Sequence, residues 1–83
     1  MHEYLFTDTL SVDMNSKLNV ALKTAIIESR RTQKRIGTLA RIEQSRLSKI
    51  IHGDLHATEI ERARLAAILN KPAFELFPDE ATA

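Results

Sequence analysis

The sequence predicts a small all-α domain in which five short helices form one compact unit behind an N-terminal arm. From residue 17 onward, apolar residues recur at the three- and four-residue spacing of helices, and residues that begin or end helices separate these segments. The first 15 residues instead alternate in steps of two, as strand residues do. We therefore expect an arm over 1–16, a helical domain over 17–78 and a frayed tail over 79–83.

Length and composition limit the chain to one domain. Its 83 residues, 43% of them apolar, are near the lower limit at which one core holds a fold without further support. The chain has no cysteine, which excludes disulfides and thiolate metal sites and agrees with a reducing compartment. We find neither a signal-peptide pattern nor an apolar run of membrane-spanning length, so we expect a soluble, cytoplasmic protein.

The arm has the periodicity of a strand. Asp8 interrupts an apolar row of one parity, whose members are Tyr4, Phe6, Leu10, Val12 and Met14. Because the rest of the chain predicts no second strand, a strand here would have to pair with another copy of the chain. Two interpretations stay open: an intermolecular β-strand that helps to form a dimer, and an arm without fixed structure.

The first two helices are defined by their caps and apolar positions. Helix 1 is predicted from about Lys17 to Arg30 with Asn15 or Ser16 as its cap. Its apolar positions are Leu18, Leu22, Ala25 and Ile26. Helix 2 is predicted to begin after Thr32 and to bury Ile36, Gly37 and Ala40. Glycine inside a helix costs about 1 kcal/mol relative to alanine, so Gly37 indicates the close approach of a neighbouring helix.

Helix 3 is predicted to begin at Gln44 and to stop at Gly53. At 100° per residue, its apolar residues Leu47, Ile50 and Ile51 share one side, and Ser45, Ser48, Lys49 and His52 share the other. The turn before it runs over 41–43, with Ile42 expected to point inward. The outer side contains no acid, which suits a groove lined by phosphates and base edges.

The last two helices close the domain. Thr58 and Glu61 form a capping box for helix 4, which is predicted to reach Leu69 and to end at Asn70. Its apolar positions are Leu65, Ala66, Ile68 and Leu69. Pro72 suits the first position of helix 5, in which Phe74, Leu76 and Phe77 are expected to close the core.

Charge is divided unevenly along the chain. Residues 17–53 carry a formal charge of +7, whereas residues 1–16 and 54–83 carry −3 each. A basic centre between acidic ends is expected when one face of a domain meets a polyanion. A solvated basic surface without a partner is the alternative interpretation.

Several features of the centre agree in order and spacing with one family. Thr32-Gln33, Gly37, the segment Gln44-Ser45-Arg46-Leu47-Ser48-Lys49-Ile50 and Gly53 resemble the phage-repressor and Cro-like helix-turn-helix family of bacteria and phages, also called the xenobiotic-response-element type. The resemblance covers roughly residues 17–78. It implies a repressor-like fold and sequence-specific binding of double-stranded DNA, by a small dimeric repressor that occupies a palindromic operator.

The resemblance assigns roles to individual residues. Base reading is expected from Gln44, Ser45, Lys49 and Ser48, with Gln44 suited to adenine in the major groove. Gln33 is expected to contact a phosphate and to brace Gln44. The full set of expected phosphate contacts is Gln33, Thr32, Lys34, Arg46, His52, Arg30 and Arg31.

Two positions depart from the family pattern. Arg41 stands where glycine is common, so either the turn is shaped differently or Arg41 adopts a strained, left-handed backbone. Ala40 stands where a larger aliphatic side chain is common, and Leu39 is expected to turn inward to compensate.

Other functions are weighed against DNA binding. His52, Asp54 and His56 invite a metal hypothesis, but Gly53 is expected to break the helix between the histidines, so no metal, cofactor or enzymatic activity is predicted. An antitoxin that binds its operator and a partner toxin, through the arm or the acidic tail, is one alternative function. A protein-interaction module that keeps the fold is another.

Overall fold

The computed structural model describes residues 17–78, and these residues form five α-helices and no strand. The helices are α1 Val20–Glu28, α2 Gln33–Ala40, α3 Gln44–Ile51, α4 Glu59–Leu69 and α5 Ala73–Leu76. The all-α prediction is confirmed for this part of the chain. The predicted arm over 1–16, its exchanged strand and the tail over 79–83 lie outside the described residues.

One apolar core joins all five helices. Its largest fully buried side chains are Leu22, Ile36, Leu47, Ile51, Leu65, Leu76 and Phe77. Helix α2 packs closely against both α3 and α4, and α5 closes the core beneath α1 and α4. The predicted inward positions of α2 and α3 are all buried, as is Ile42 in the turn between them. Within 17–78 no polar or charged residue belongs to the buried set.

Local caps set most helix ends where the sequence predicts them. Thr32 accepts a hydrogen bond from the Arg35 amide at 3.0 Å, which fixes the start of α2. At α4 the Thr58 hydroxyl accepts from the Glu61 amide at 3.1 Å, and the Glu61 carboxylate accepts from the Thr58 amide at 2.8 Å. Asn70 ends α4 in the left-handed conformation, with φ 57°. These predictions are confirmed.

The start of α1 differs from the prediction of about Lys17. The predicted cap residues Asn15 and Ser16 lie outside the described residues; the helix begins at Val20, and its cap is Asn19, whose side chain accepts from the Leu22 amide at 3.0 Å. Asn19 is held there by distant parts of the fold, because its side-chain amide donates to the Leu76 carbonyl at 2.8 Å and its backbone amide donates to the Ile51 carbonyl at 2.7 Å. Helix α1 also ends before Arg30, whose φ of 63° is not helical.

Three further predictions for single residues are wrong. Phe74 is 63% exposed, because the four-residue α5 turns only Leu76 toward the core and Phe77 follows it inward. Pro72 is the cap of α5 and not its first residue. Leu39 is 40% exposed and does not turn inward, and Ala40 beside it is fully buried.

No helix within residues 17–78 is long and apolar enough to cross a membrane.

Candidate nucleic-acid interface

The turn between α2 and α3 is tight, and it depends on two unusual backbone positions. Arg41 has φ 61° and ψ 40°, so it adopts the left-handed conformation that its side chain disfavours. The Ile42 amide donates to the Gly37 carbonyl at 2.8 Å. A Cβ atom at position 37 would lie 2.8 Å from the Ile42 carbonyl oxygen, so glycine is required there. The tightest neighbour of Gly37 is therefore the turn itself, and the Leu47 side chain of the neighbouring helix α3 comes next at 3.5 Å.

This turn presents α3 with one side in the core and the other in solvent. Leu47, Ile50 and Ile51 are buried, and these contacts fix the rotation of the helix about its axis. We call the opposite side the α3 outer face; its residues are Gln44, Ser45, Ser48, Lys49 and His52. Ser48 is half-buried, and the other four are exposed. Within 17–78 no segment covers this face.

The beginnings of α2 and α3 meet in a shallow depression. Its lining is Gln33, Glu43, Gln44, Ser45 and Ser48. The structure thus brings Gln33 beside the first residue of α3, although no hydrogen bond joins Gln33 to Gln44 within the described residues. Two helix N-termini at one place favour an anion, since their amides carry partial positive charge.

Glu43 was not assigned a part in this surface from the sequence. It precedes α3 as its cap residue, but its side chain makes no hydrogen bond to the backbone amides of the helix. Its carboxylate instead accepts a hydrogen bond from the Ser45 hydroxyl at 3.1 Å. The sequence signal that could have predicted this contact is an acid two residues before a serine at a helix start.

His52 closes the other end of the α3 outer face. Its Nδ1 lies 2.7 Å from the Ser48 carbonyl oxygen. Because a carbonyl can only accept, Nδ1 carries the proton, and the ring is held against the last turn of α3. An imidazole at a helix C-terminus interacts favourably with the carbonyl end of the helix.

The predicted phosphate-contacting residues fall into two groups. Gln33, Lys34 and Arg30 make no hydrogen bond or ion pair through their side chains within 17–78, and the same is true of the base-reading candidates Gln44 and Lys49. Arg31 and Thr32 have intramolecular roles: the Arg31 guanidinium donates to the Ile68 carbonyl at 3.4 Å, and Thr32 caps α2.

Arg46 makes the strongest intramolecular contact of the set. Its Nε and Nη2 atoms donate to the two carboxylate oxygens of Glu61 at 2.7 and 2.9 Å. The hydrogen bond from Arg46 is the main reason that the pKa of Glu61 falls to about 2, against the opposing effect of burial. The same carboxylate raises the pKa of Arg46.

The two histidines of the segment His52–His56 both follow the last residue of α3. Helix α3 ends at Ile51 and Gly53 has φ 84°, so His52 and His56 do not share a helix face. Among residues 17–78, no three His, Cys, Asp or Glu side chains are placed to hold a metal ion.

Comparison with models of protein families, with curated proteins and with solved structures found no match to this chain. The functional interpretation therefore depends on the geometry described above.

Proposed function

We propose that this protein is a sequence-specific regulator of transcription that binds double-stranded DNA by placing α3 in the major groove. The observation that carries the proposal is the division of α3 into a fully buried apolar side and an uncovered polar side. A major groove about 12 Å wide admits one α-helix with its side chains.

The base-reading residues lie at the start of α3 and one turn later. Gln44 can offer both a donor and an acceptor to adenine, and its side chain has no competing partner within 17–78. Ser45 and Ser48 supply hydroxyls, and Lys49 can reach guanine or a phosphate. Glu43 adds a constraint, because a carboxylate beside Ser45 would accept a hydrogen bond from the cytosine amino group and repel a phosphate.

Phosphate contacts would position the helix without reading sequence. Gln33, Thr32 and Lys34 lie at the amide end of α2, where two effects favour a phosphate: the helix dipole and the lysine charge. Arg30 and Arg31 precede this end, and His52 lies at the far end of α3. Each neutralised phosphate makes binding weaken as salt rises, with a slope of roughly 0.9 per contact.

A dimer is part of the proposal. A single module of this size buries little DNA surface, so useful affinity requires two copies. Two α3 helices about 34 Å apart would read half-sites roughly ten base pairs apart, and their symmetry would make the operator palindromic. Occupying such an operator represses transcription.

The first experiment is selection of bound duplexes from a random pool, followed by anisotropy titration. Gln44→Ala should reduce discrimination at one base pair by roughly 5- to 150-fold, the worth of a bidentate base contact. Lys34→Ala should weaken all duplexes alike and lower the salt slope by about 1. Unchanged discrimination in Gln44→Ala would remove the base-reading assignment, and failure of the wild type to bind any duplex in a salt-dependent way would reject DNA binding.

A second candidate is an antitoxin that binds both its operator and a partner protein. The observation favouring it is a set of apolar side chains about half or more exposed: Val20, Ile27, Ile60 and Phe74. Val20 and Ile27 are seven residues apart on α1 and therefore share a face. Retention of a defined neighbouring-gene product by the purified protein, lost in Ile27→Asp, would support this candidate. A protein-interaction module without DNA function would keep such binding and show no affinity for any duplex.

A further inference from the structure

One ion pair connects α3 to the start of α4. Arg46 points from the flank of α3 toward the start of α4 and holds both carboxylate oxygens of Glu61. The same carboxylate closes the capping box, since it also accepts from the Thr58 amide at 2.8 Å. The guanidinium therefore connects the helix proposed to read DNA to the cap of the next helix.

Few backbone approaches reinforce this connection. The closely packed helix pairs are α2–α3, α2–α4, α4–α5, α1–α5 and α1–α3, and α3–α4 is not among them. A planar guanidinium bound at two points resists rotation as well as separation. Apolar contacts of α3 fix which side is buried, whereas this pair restrains how α3 is inclined against α4.

We propose that Arg46 is a positioning residue that fixes the orientation of α3 for base reading. We also propose that Glu61 holds the positive charge of Arg46 away from the DNA backbone. This inference rests on the proposed DNA-binding function, and it changes the role expected from the resemblance, in which Arg46 contacts a phosphate. Arg46 acts through Glu61 and contributes no counterion release of its own.

The proposal predicts that Glu61→Gln changes the affinities for the selected duplex and for a scrambled duplex in opposite directions. Glu61→Gln keeps a side-chain oxygen for the Thr58 amide but removes the charge that holds Arg46. Affinity for the selected duplex should fall roughly tenfold, as when one base contact is weakened. Affinity for a scrambled duplex should rise, with a salt slope steeper by about 1, because the released guanidinium can now neutralise a phosphate.

Arg46→Met distinguishes a positioning role of Arg46 from a phosphate contact. It should lower affinity for the selected duplex roughly tenfold, the equivalent of weakening one base contact, and leave scrambled-duplex binding and the salt slope unchanged. Lys71→Met is the matched control, because Lys71 has 38% side-chain exposure against 36% for Arg46 and pairs with Glu28 at a longer 3.7 Å. Lys71→Met should leave both affinities unchanged.

The test uses the full chain, a duplex selected by the wild type and a scrambled duplex of the same composition, titrated by anisotropy across salt concentrations. A salt slope lowered by about 1 in Arg46→Met, with both affinities reduced, would show that Arg46 contacts phosphate and would overturn the proposal. Equal weakening of both duplexes in Glu61→Gln would also overturn it, since it would indicate only loss of folded protein. Wild-type binding in the same titration tests the DNA-binding function separately.

A second measurement uses only the wild type, so it does not require any variant to fold. In the wild type, the Arg46 Nε proton should give a protected nuclear magnetic resonance signal that persists when the selected duplex is added. Loss or a large displacement of that signal on binding would show that Arg46 leaves Glu61 for the DNA, and the proposal would be wrong.

Discussion

The beginnings of α3 and α4 are built in opposite ways. Helix α4 is closed at its start by the reciprocal bonds of Thr58 and Glu61, whereas Glu43, the cap residue of α3, makes no side-chain hydrogen bond to the backbone amides of that helix. The α4 start therefore contributes to stability, whereas the Glu43 side chain leaves the first backbone amides of α3 uncapped. Under the proposed function, stability and recognition belong to different helix ends, and the contact of Arg46 with Glu61 connects the two helices.

The largest expected effect on stability comes from a substitution on the buried side of α3. Leu47 is fully buried, so Leu47→Ala should lower the free energy of unfolding by about 2–5 kcal/mol through lost burial and an unfilled cavity. Leu39→Ala is the control, since Leu39 is 40% exposed and lies on the neighbouring helix. Urea unfolding followed by circular dichroism measures both. Equal losses at the two positions would contradict the division of α3 into inner and outer sides.

The caps themselves provide a smaller and sharper comparison. Thr58→Ala removes a cap hydrogen bond and should reduce the free energy of unfolding by about 1 kcal/mol. Glu43→Ala removes no cap bond, so its effect on stability should remain within about 0.5 kcal/mol. Thermal unfolding of the two variants beside the wild type decides the matter. A Glu43 variant as unstable as the Thr58 variant would mean that both helix starts are closed.

The smallest expected effect is a pH dependence confined to α4. The pKa of Glu61 is lowered to about 2 in the folded chain, chiefly by Arg46, and an unpaired glutamate titrates near 4.3. Its contribution to stability is therefore fully present above about pH 5 and is lost as pH falls toward 2. The stability difference between the wild type and Glu61→Gln should shrink over that window. A difference independent of pH would contradict the charged pair.

Local sequence signals predict much of this fold because their physical causes are local. Thr32, Thr58 and Asn70 form caps with atoms a few residues away, and the spacing of Leu47 and Ile51 places both on one side of a helix. The same signals fail at α1, whose start at Asn19 depends on carbonyls of Ile51 and Leu76. No pattern near residue 19 contains that information.

The candidate site divides in the same way. The exposure of Gln44, Ser45 and Lys49 follows from helical spacing, and the structure agrees. The bidentate contact of Arg46 with Glu61 spans 15 residues, and only the packed arrangement of the helices reveals it. The DNA-binding roles of all these residues stay predictions for the titrations described above.

The sequence by itself determined the helical periods, the caps of α2 and α4 and the buried sides of α2 and α3, since these depend on neighbours within about one turn. Tertiary structure alone decided where α1 begins, that Phe74 faces outward, that Arg41 takes a left-handed backbone, and that Arg46 is bound to another helix. The physical reason is that each of these outcomes depends on which distant groups the completed core brings within contact distance.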